Sequence, residues 1–90
     1  MQSGLSVIIL THNEEHNILA CLESIAWADE RIVIDSGSAD RTVERARTLA
    51  TLVMEVEWKG FGTTKNLALD RCTGRWVLWL DADERVTPQL

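Results

Sequence analysis

Ninety residues fit one domain or a piece of one, and a chain this short buries only ~60% of the surface its unfolded form exposes, so it builds one core at most. With 46% apolar residues it is not a disordered chain, and a net charge of −5 without a Lys/Arg cluster excludes a nucleic-acid footprint. No apolar run reaches transmembrane length, and Cys21 and Cys72 lack metal-ligand spacing, which leaves two helix-borne free thiols in a reducing compartment.

The opening MQSGLSVIILTHNEE has neither a basic region nor a small-residue cleavage site, and its apolar part is too short for a signal peptide; the expected compartment is the cytoplasm. Leu5 to Leu10 is a β-branched run, as in a strand buried on both faces. Asn13 is placed to cap a helix whose apolar face is Ile18, Leu19, Leu22 and Ile25. Arg31 to Asp35 reads as a second strand. Ser36-Gly37-Ser38 is a turn, with Ser38 capping a helix that runs through Ala50 and carries Val43, Ala46, Arg47 and Leu49. Leu52 to Val56 is a third strand, and Lys59-Gly60-Phe61-Gly62 a loop. A third helix spans Thr63 to Cys72, with Leu67 and Ala68 inward and Gly74 as its stop. Trp76 to Leu80 is a fourth strand, and Thr87-Pro88 opens another helix.

The order βαβαβαβ, with strands that do not alternate in polarity, predicts an α/β, Rossmann-like fold: a parallel four-stranded sheet with helices on both faces and right-handed crossovers. In such sheets ligands bind beyond the carboxyl ends of the strands. Polar residues collect at three of those ends: Thr11-His12-Asn13-Glu14, Asp35-Ser36-Gly37-Ser38 and Asp81-Ala82-Asp83-Glu84.

Each end has a chemical reading and a plainer one. Asp81 and Asp83, two apart on an extended chain, point to one side and can share a hard divalent cation, which would cancel their repulsion; the plainer reading is a solvated acidic loop. Asp35 can accept from a ribose hydroxyl or a base N–H, and Gly37 lets the backbone approach a ligand; the plainer reading is a turn capped by Ser38 and Asp40. The segment from Thr11 to Glu14 leads into a helix N-terminus, suited to phosphate, whereas Glu14 and Glu15 also serve simply as dipole-favourable surface charges. The Gly-x-Gly-x-x-Gly fingerprint is missing, which disfavours a dinucleotide-dependent oxidoreductase. His12 and His16 are four apart, but His12 precedes the helix, so they are not read as a zinc pair. Lys65 can meet a diphosphate or sit solvated on the third helix. Trp76 and Trp79 are expected to pack in or beside the sheet, and Trp58 to flank a sugar or a partner.

Four stretches in this order, Ser6 to Glu14, Val33 to Thr42, Lys65 to Leu69 and Leu80 to Asp83, resemble the N-terminal half of a family 2 glycosyltransferase of the GT-A fold. Trp58 to Leu69 together with Trp76 to Val86 is more similar still to bacterial lipopolysaccharide core glucosyltransferases of that family. The resemblance implies that Asp35 recognises the nucleoside, usually uridine, and that Thr11, Asn13 and Glu14 line the nucleotide pocket. It implies Lys65 near the donor, and Asp81 and Asp83 on Mg²⁺ or Mn²⁺ and the diphosphate. His12 stands where many relatives carry Tyr. The general base of the family lies downstream of the Asp-x-Asp motif, and no position here is assigned to it.

The expected function is therefore the donor-binding part of an inverting hexosyl transfer from a nucleotide diphosphate sugar, a UDP-sugar by resemblance, to a saccharide or lipid-linked saccharide acceptor. The chain alone is expected to be inactive. Residues 1–90 would form the nucleotide-sugar-binding half of a longer domain, cytoplasmic and peripheral on the inner membrane face, with self-association through an unpaired sheet edge. The competing expectation is a noncatalytic α/β unit whose polar rim is inert.

Overall fold

Val7, Ile8 and Ile9 have no exposed surface, and Ile32, Val33 and Ile34 are at most 1% exposed. Such β-branched runs, buried on both faces, need cover above and below, and that need sets the architecture. The computed structural model describes residues 4–58, 60–72 and 76–84. The elements are β1 (Leu5–Thr11), α1 (Ile18–Ser24), β2 (Glu30–Asp35), α2 (Thr42–Ala46), β3 (Leu52–Glu55), α3 (Phe61–Arg71) and β4 (Trp76–Asp81). The strands form one parallel sheet in the order β3-β2-β1-β4. The parallel α/β architecture expected from the sequence is the one observed.

Side-chain alternation divides the core in two. Val7, Ile9 and Val33 pack with Ile18, Cys21, Leu22 and Ile25 around α1 and with Ala46 of α2. Ile8, Ile32 and Ile34 pack on the other face with Ala68 of α3. Helices thus cover both faces, and the order explains which helix goes where. From β1 to β3 the chain steps one way across the sheet, and then α3 carries it back past β1 to β4. Keeping one crossover hand while reversing direction moves the helix to the opposite face. Register is parallel and continuous: Thr11 pairs with Asp35, and Leu10 with Asp81, so three strands end at nearly one level.

Several local expectations give way to tertiary contacts. Asn13 does not cap α1: it has φ +55, and a turn from Glu14 precedes the helix, which begins after Asn17. Ser38 does not cap α2, whose preceding residue is Arg41 without a side-chain cap bond. The helix ends at Ala46, and residues to Ala50 continue in tighter turns, with Thr48 N–H on the Arg45 carbonyl and Leu49 N–H on that of Ala46. α3 starts two residues early, at Phe61, and Cys72 follows its last turn rather than lying inside it. Its inward residues are Thr64 and Ala68, four apart, while Leu67 and Leu69 are 39% and 47% exposed. Trp79 packs beside the second core as expected, but Trp76 at the start of β4 is exposed. Lys59, the Gly74 stop and the helix at Thr87-Pro88 lie outside the described residues. Among the described residues no helix is long and apolar enough to cross a membrane.

Truncating Ile8 to Ala should cost about 3 kcal/mol, since the cavity would open at the centre of a strand covered on both sides. Leu69→Ala, on the open side of α3, should stay within about 0.5 kcal/mol of the parent. Urea unfolding of the two variants checks both; equal losses would mean that α3 is rotated on the sheet.

Candidate functional site

The rim is built from loops that bond to each other. Thr11 closes β1 and Asp35 closes β2. The Asp35 carboxylate is 1% exposed, and it has donors on both oxygens. Oδ1 accepts from Thr11 Oγ1 at 2.7 Å and Ser38 Oγ at 2.5 Å, and Oδ2 accepts from the Ser38 N–H at 2.8 Å. The loop after β1 is then fastened to the loop after β2, residue by residue. His12 Nδ1 donates to the Ser36 carbonyl at 2.9 Å. Because a carbonyl only accepts, Nδ1 carries the proton and Nε2 is left as an acceptor, 3.4 Å from Asn13 Nδ2. The Asn13 N–H donates to Ser38 Oγ, and Asn13 Oδ1 accepts from the Ala39 N–H. Asn is among the few side chains that tolerate the left-handed φ this requires.

Asp40 and Thr42 hold the next two residues. Thr42 Oγ1 accepts from the Glu14 N–H at 2.8 Å and donates to Asp40 Oδ1 at 2.5 Å. Asp40 also accepts from the N–H groups of Thr42 and Glu15. Burial pushes the Asp40 carboxyl up, but the Thr42 hydroxyl and the backbone donors outweigh it, and its pKa lies below the ordinary 3.8.

The end of β4 is organised differently from the sequence argument. Asp81 is the last strand residue, and Ala82 and Asp83 form a turn, so strand alternation does not align the two carboxylates. The turn sends Ala82 inward. Ala82 is 1% exposed and packs in the core with Ile18 and Cys21, while Asp81 and Asp83 on either side stay exposed. Glu84 closes the turn: its Oε1 accepts the Asp81 N–H at 2.7 Å, and its own N–H donates to the Asp81 carbonyl.

These ends enclose an open cleft of ≈ 430 Å³, lined by Thr11, His12, Glu14, Ser36, Trp58, Asp81 and Asp83, with Leu10 and Ala82 at its floor. It lies where the strand order reverses between β1 and β4, the place at which α/β sheets open a crevice. A second cavity of ≈ 310 Å³ adjoins it at Leu10 and Asp81 and is lined by Lys65, Trp79, Leu80 and Glu84. Lys65 Nζ stands 5.4 Å from the centroid of the Trp79 ring. Six of the polar strand-end residues singled out from sequence therefore share the first cleft with Trp58, and Lys65 borders it through Asp81. Asp35, Asn13 and Gly37 do not line it. Asp35 is committed to the rim bonds, and Asn13 bridges the two loops. Gly37 has φ +82 with open space where a Cβ would stand, so the turn rather than a close approach requires glycine. Sequence reasoning passed over Thr42 and Ala82; the alternation Ser38-x-Asp40-x-Thr42, three polar residues on one side of a turn, was the available signal for the former.

The donor set suits one kind of ion. Asp81 and Asp83 offer hard oxygen ligands, and among the described residues no group of three or more His, Cys, Asp or Glu converges to form a cage. Two carboxylates in an open cleft fit Mg²⁺ or Mn²⁺ completed by phosphate oxygens and water.

The model of the family described as glycosyl transferase family 2 matches residues 6–90. An uncharacterised glycosyltransferase of Rickettsia typhi is 39% identical over 87 residues, covering 96% of this chain and 30% of the relative. The lipopolysaccharide core biosynthesis glycosyltransferase LpsC of Rhizobium meliloti is 33% identical, covering 96% and 34%. The chain thus spans about a third of the length of these relatives. Among solved structures, glucosyl-3-phosphoglycerate synthase of Mycobacterium tuberculosis, in complex with Mn²⁺, UDP and glucosyl-3-phosphoglycerate, superposes with a TM-score of 0.76 at 29% identity, over 90% of this chain and 35% of that one. Staphylococcus aureus TarS superposes with a TM-score of 0.76 at 34% identity, over 99% and 29%.

Two outcomes follow from the rim. Asp40, its pKa depressed on folding, stabilises the fold above its ordinary value, and that stability is lost as pH falls through the lowered one. Asp40→Asn should melt below the parent at pH 7, with the gap narrowing on acidification below about pH 4; a gap independent of pH would remove Asp40 from the linkage. Ala82→Leu, although in a turn between exposed aspartates, should cost about 1–3 kcal/mol in urea unfolding through overpacking.

Proposed function

The chain belongs to glycosyl transferase family 2, and we propose that it is the donor-binding part of an inverting glycosyltransferase. The donor is a nucleotide diphosphate sugar, and similarity to a synthase crystallised with UDP and Mn²⁺ favours a UDP-hexose. The acceptor is a saccharide or lipid-linked saccharide, in lipopolysaccharide core synthesis by similarity to LpsC. Residues 1–90 act as the nucleotide-sugar-binding half of a larger unit. Its place is the cytoplasm, peripheral to the inner membrane face. β4 is an edge strand of the described sheet, and self-association along it completes the proposal.

One observation carries this reading. A single cleft joins the polar ends of β1 and β2 to the two exposed carboxylates of β4. That spread matches a ligand with a nucleoside at one end and a diphosphate at the other. Ser36 and the Asp35–Gly37 turn form the nucleoside edge. Asp35, buried behind the cleft, does so by fixing Thr11 and Ser38. Thr11, His12, Asn13 and Glu14 form the opposite wall, Asn13 from behind it. Lys65, across Asp81, offers a cation to the diphosphate. Asp81 and Asp83 would hold Mg²⁺ or Mn²⁺, and such an ion, when bound, supplies Lewis-acid stabilisation of the charge growing on the departing diphosphate. In the transfer, an acceptor hydroxyl attacks C1 from the side opposite the diphosphate, and inversion results. This chain's residues bind and orient the donor for that attack; none of them is assigned as the base.

Calorimetric titration with UDP, with and without Mn²⁺, tests the reading. Binding should depend on the metal and disappear in Asp81→Ala/Asp83→Ala. Absence of metal-dependent binding by a folded chain would favour the noncatalytic unit with an inert rim.

A further inference from the structure

Trp79 sits where the second core meets the rim. It pairs with Ile8 across β1 and β4, and it is half-buried against that core. Asp81 is two residues further along the strand, so the two side chains leave β4 on the same side, the side covered by α3. There α3 turns Thr64 and Ala68 to the sheet, and Lys65, next to Thr64, is exposed at the flank of the helix. Its ammonium stands 5.4 Å from the centroid of the Trp79 ring, inside the ~6 Å reach of a cation–π contact. Both side chains line the ≈ 310 Å³ cavity with Asp81, which also lines the larger cleft.

A lysine whose work is to meet a phosphate faces two difficulties. Its stem is long and flexible, so holding the ammonium in one place costs entropy when a ligand arrives. A carboxylate could hold it beforehand, but an ion pair would cancel the charge that the ligand needs. An aromatic face does the first without the second. The ring is neutral, so the cation is placed and stays a cation. An ammonium has several N–H donors, and a ring on one side leaves others for phosphate oxygens. Asp81 lines the same cavity, and its carboxylate competes for the ammonium. The ring offers Lys65 another place to rest and leaves that carboxylate to a metal ion.

We propose that Trp79 is a positioning residue for donor binding: its indole face holds the Lys65 ammonium ready for the diphosphate. The inference rests on the donor-site reading above, in which Lys65 meets the diphosphate, and adds the device that places it. Trp79 acts only through Lys65. Its contribution therefore shows with any ligand that carries a diphosphate, and vanishes when the lysine is removed.

The test titrates the chain in Mn²⁺ with inorganic pyrophosphate and with UDP. Lys65→Met should weaken both about tenfold, the loss of one charge-assisted hydrogen bond. Trp79→Leu keeps an apolar side chain on the core and removes the ring; it should weaken both roughly two- to fivefold, the worth of a partly exposed cation–π contact. Trp79→Phe keeps an aromatic face and should stay within about twofold of the parent. In Lys65→Met/Trp79→Leu the loss should be no greater than in Lys65→Met alone. That non-additivity separates positioning from packing, because a loosened core would weaken binding whether or not the lysine is present. Fluorotryptophan incorporation reads the same contact if the leucine variant does not fold. Fluorine draws charge from the ring face and nearly keeps its shape, so pyrophosphate affinity should fall in the parent and hold in Lys65→Met, which corrects for the other tryptophans. Unchanged pyrophosphate affinity in Trp79→Leu would overturn the proposal. So would additive losses in the double variant, or a phenylalanine variant as weak as the leucine one. If Lys65→Met binds pyrophosphate as the parent does, the lysine does not meet the diphosphate, and the proposal fails while the metal site stands. If the parent binds neither probe, the donor-site reading fails with it.

Discussion

A carboxylate that gives up its water must find donors elsewhere, and the rim of this protein depends on how Asp35 does so. Its three hydrogen bonds come from the end of β1 and from the turn after β2. They join two segments 24 residues apart in sequence at Thr11, and they orient Ser38, whose hydroxyl then receives the Asn13 N–H. Leaving Asp35 without Thr11 or Ser38 would strand a charge in a site 1% exposed, a loss far larger than that of an ordinary surface bond. The same logic repeats one step further out, where Asp40 and Thr42 take the N–H groups of Glu14 and Glu15. The cleft wall is rigid because buried and half-buried acceptors, rather than regular secondary structure, hold the loop from His12 to Glu15.

The opposite wall is fixed by packing instead. Ala82 occupies a place in the core beside Cys21 and Ile18, and its two neighbours face outward. A small apolar residue between two aspartates thus anchors the turn that leaves both exposed at the cleft. Bond-held loops on one side and a core-held turn on the other meet at the β1–β4 crevice, which the strand order creates. The site needs both, since Thr11, His12, Ser36, Asp81 and Asp83, which these two devices hold, line the cleft themselves.

Most of the architecture was legible in the sequence, since Val7 to Leu10 and Ile32 to Ile34 admit few alternatives to strands covered on both faces. The gathering of polar residues at strand ends followed from the same argument, and six of them share one cleft. What was not legible is the competition between local and long-range partners. Asn13 and Ser38 both satisfy the rule for a helix cap, and both are spent across the gap between two loops, a choice made by the pairing of β1 with β2. Leu67 looked inward because leucine usually is; in α3 the residues turned to the sheet are instead Thr64 and Ala68. The turn at Ala82, which leaves Asp81 and Asp83 exposed at the cleft, was invisible to a period-two pattern.

The pairing of β4 with β1 has a consequence in time. Leu5 lies opposite Trp76, so β1 is completed on that side only by β4, after some seventy residues have been added. β1, β2 and β3, with α1 and α2 above them, contain the whole network around Asp35 and Asp40 and can assemble while the rest is still being translated. The carboxylates of β4 reach the cleft only when a long loop closes and its entropy cost is met by pairing along β1. A nascent chain stalled before residue 76 would carry the polar ends of β1 and β2 without the two carboxylates of the cleft. Within this part of the chain the acidic wall of the cleft is thus added last, to walls that are already built.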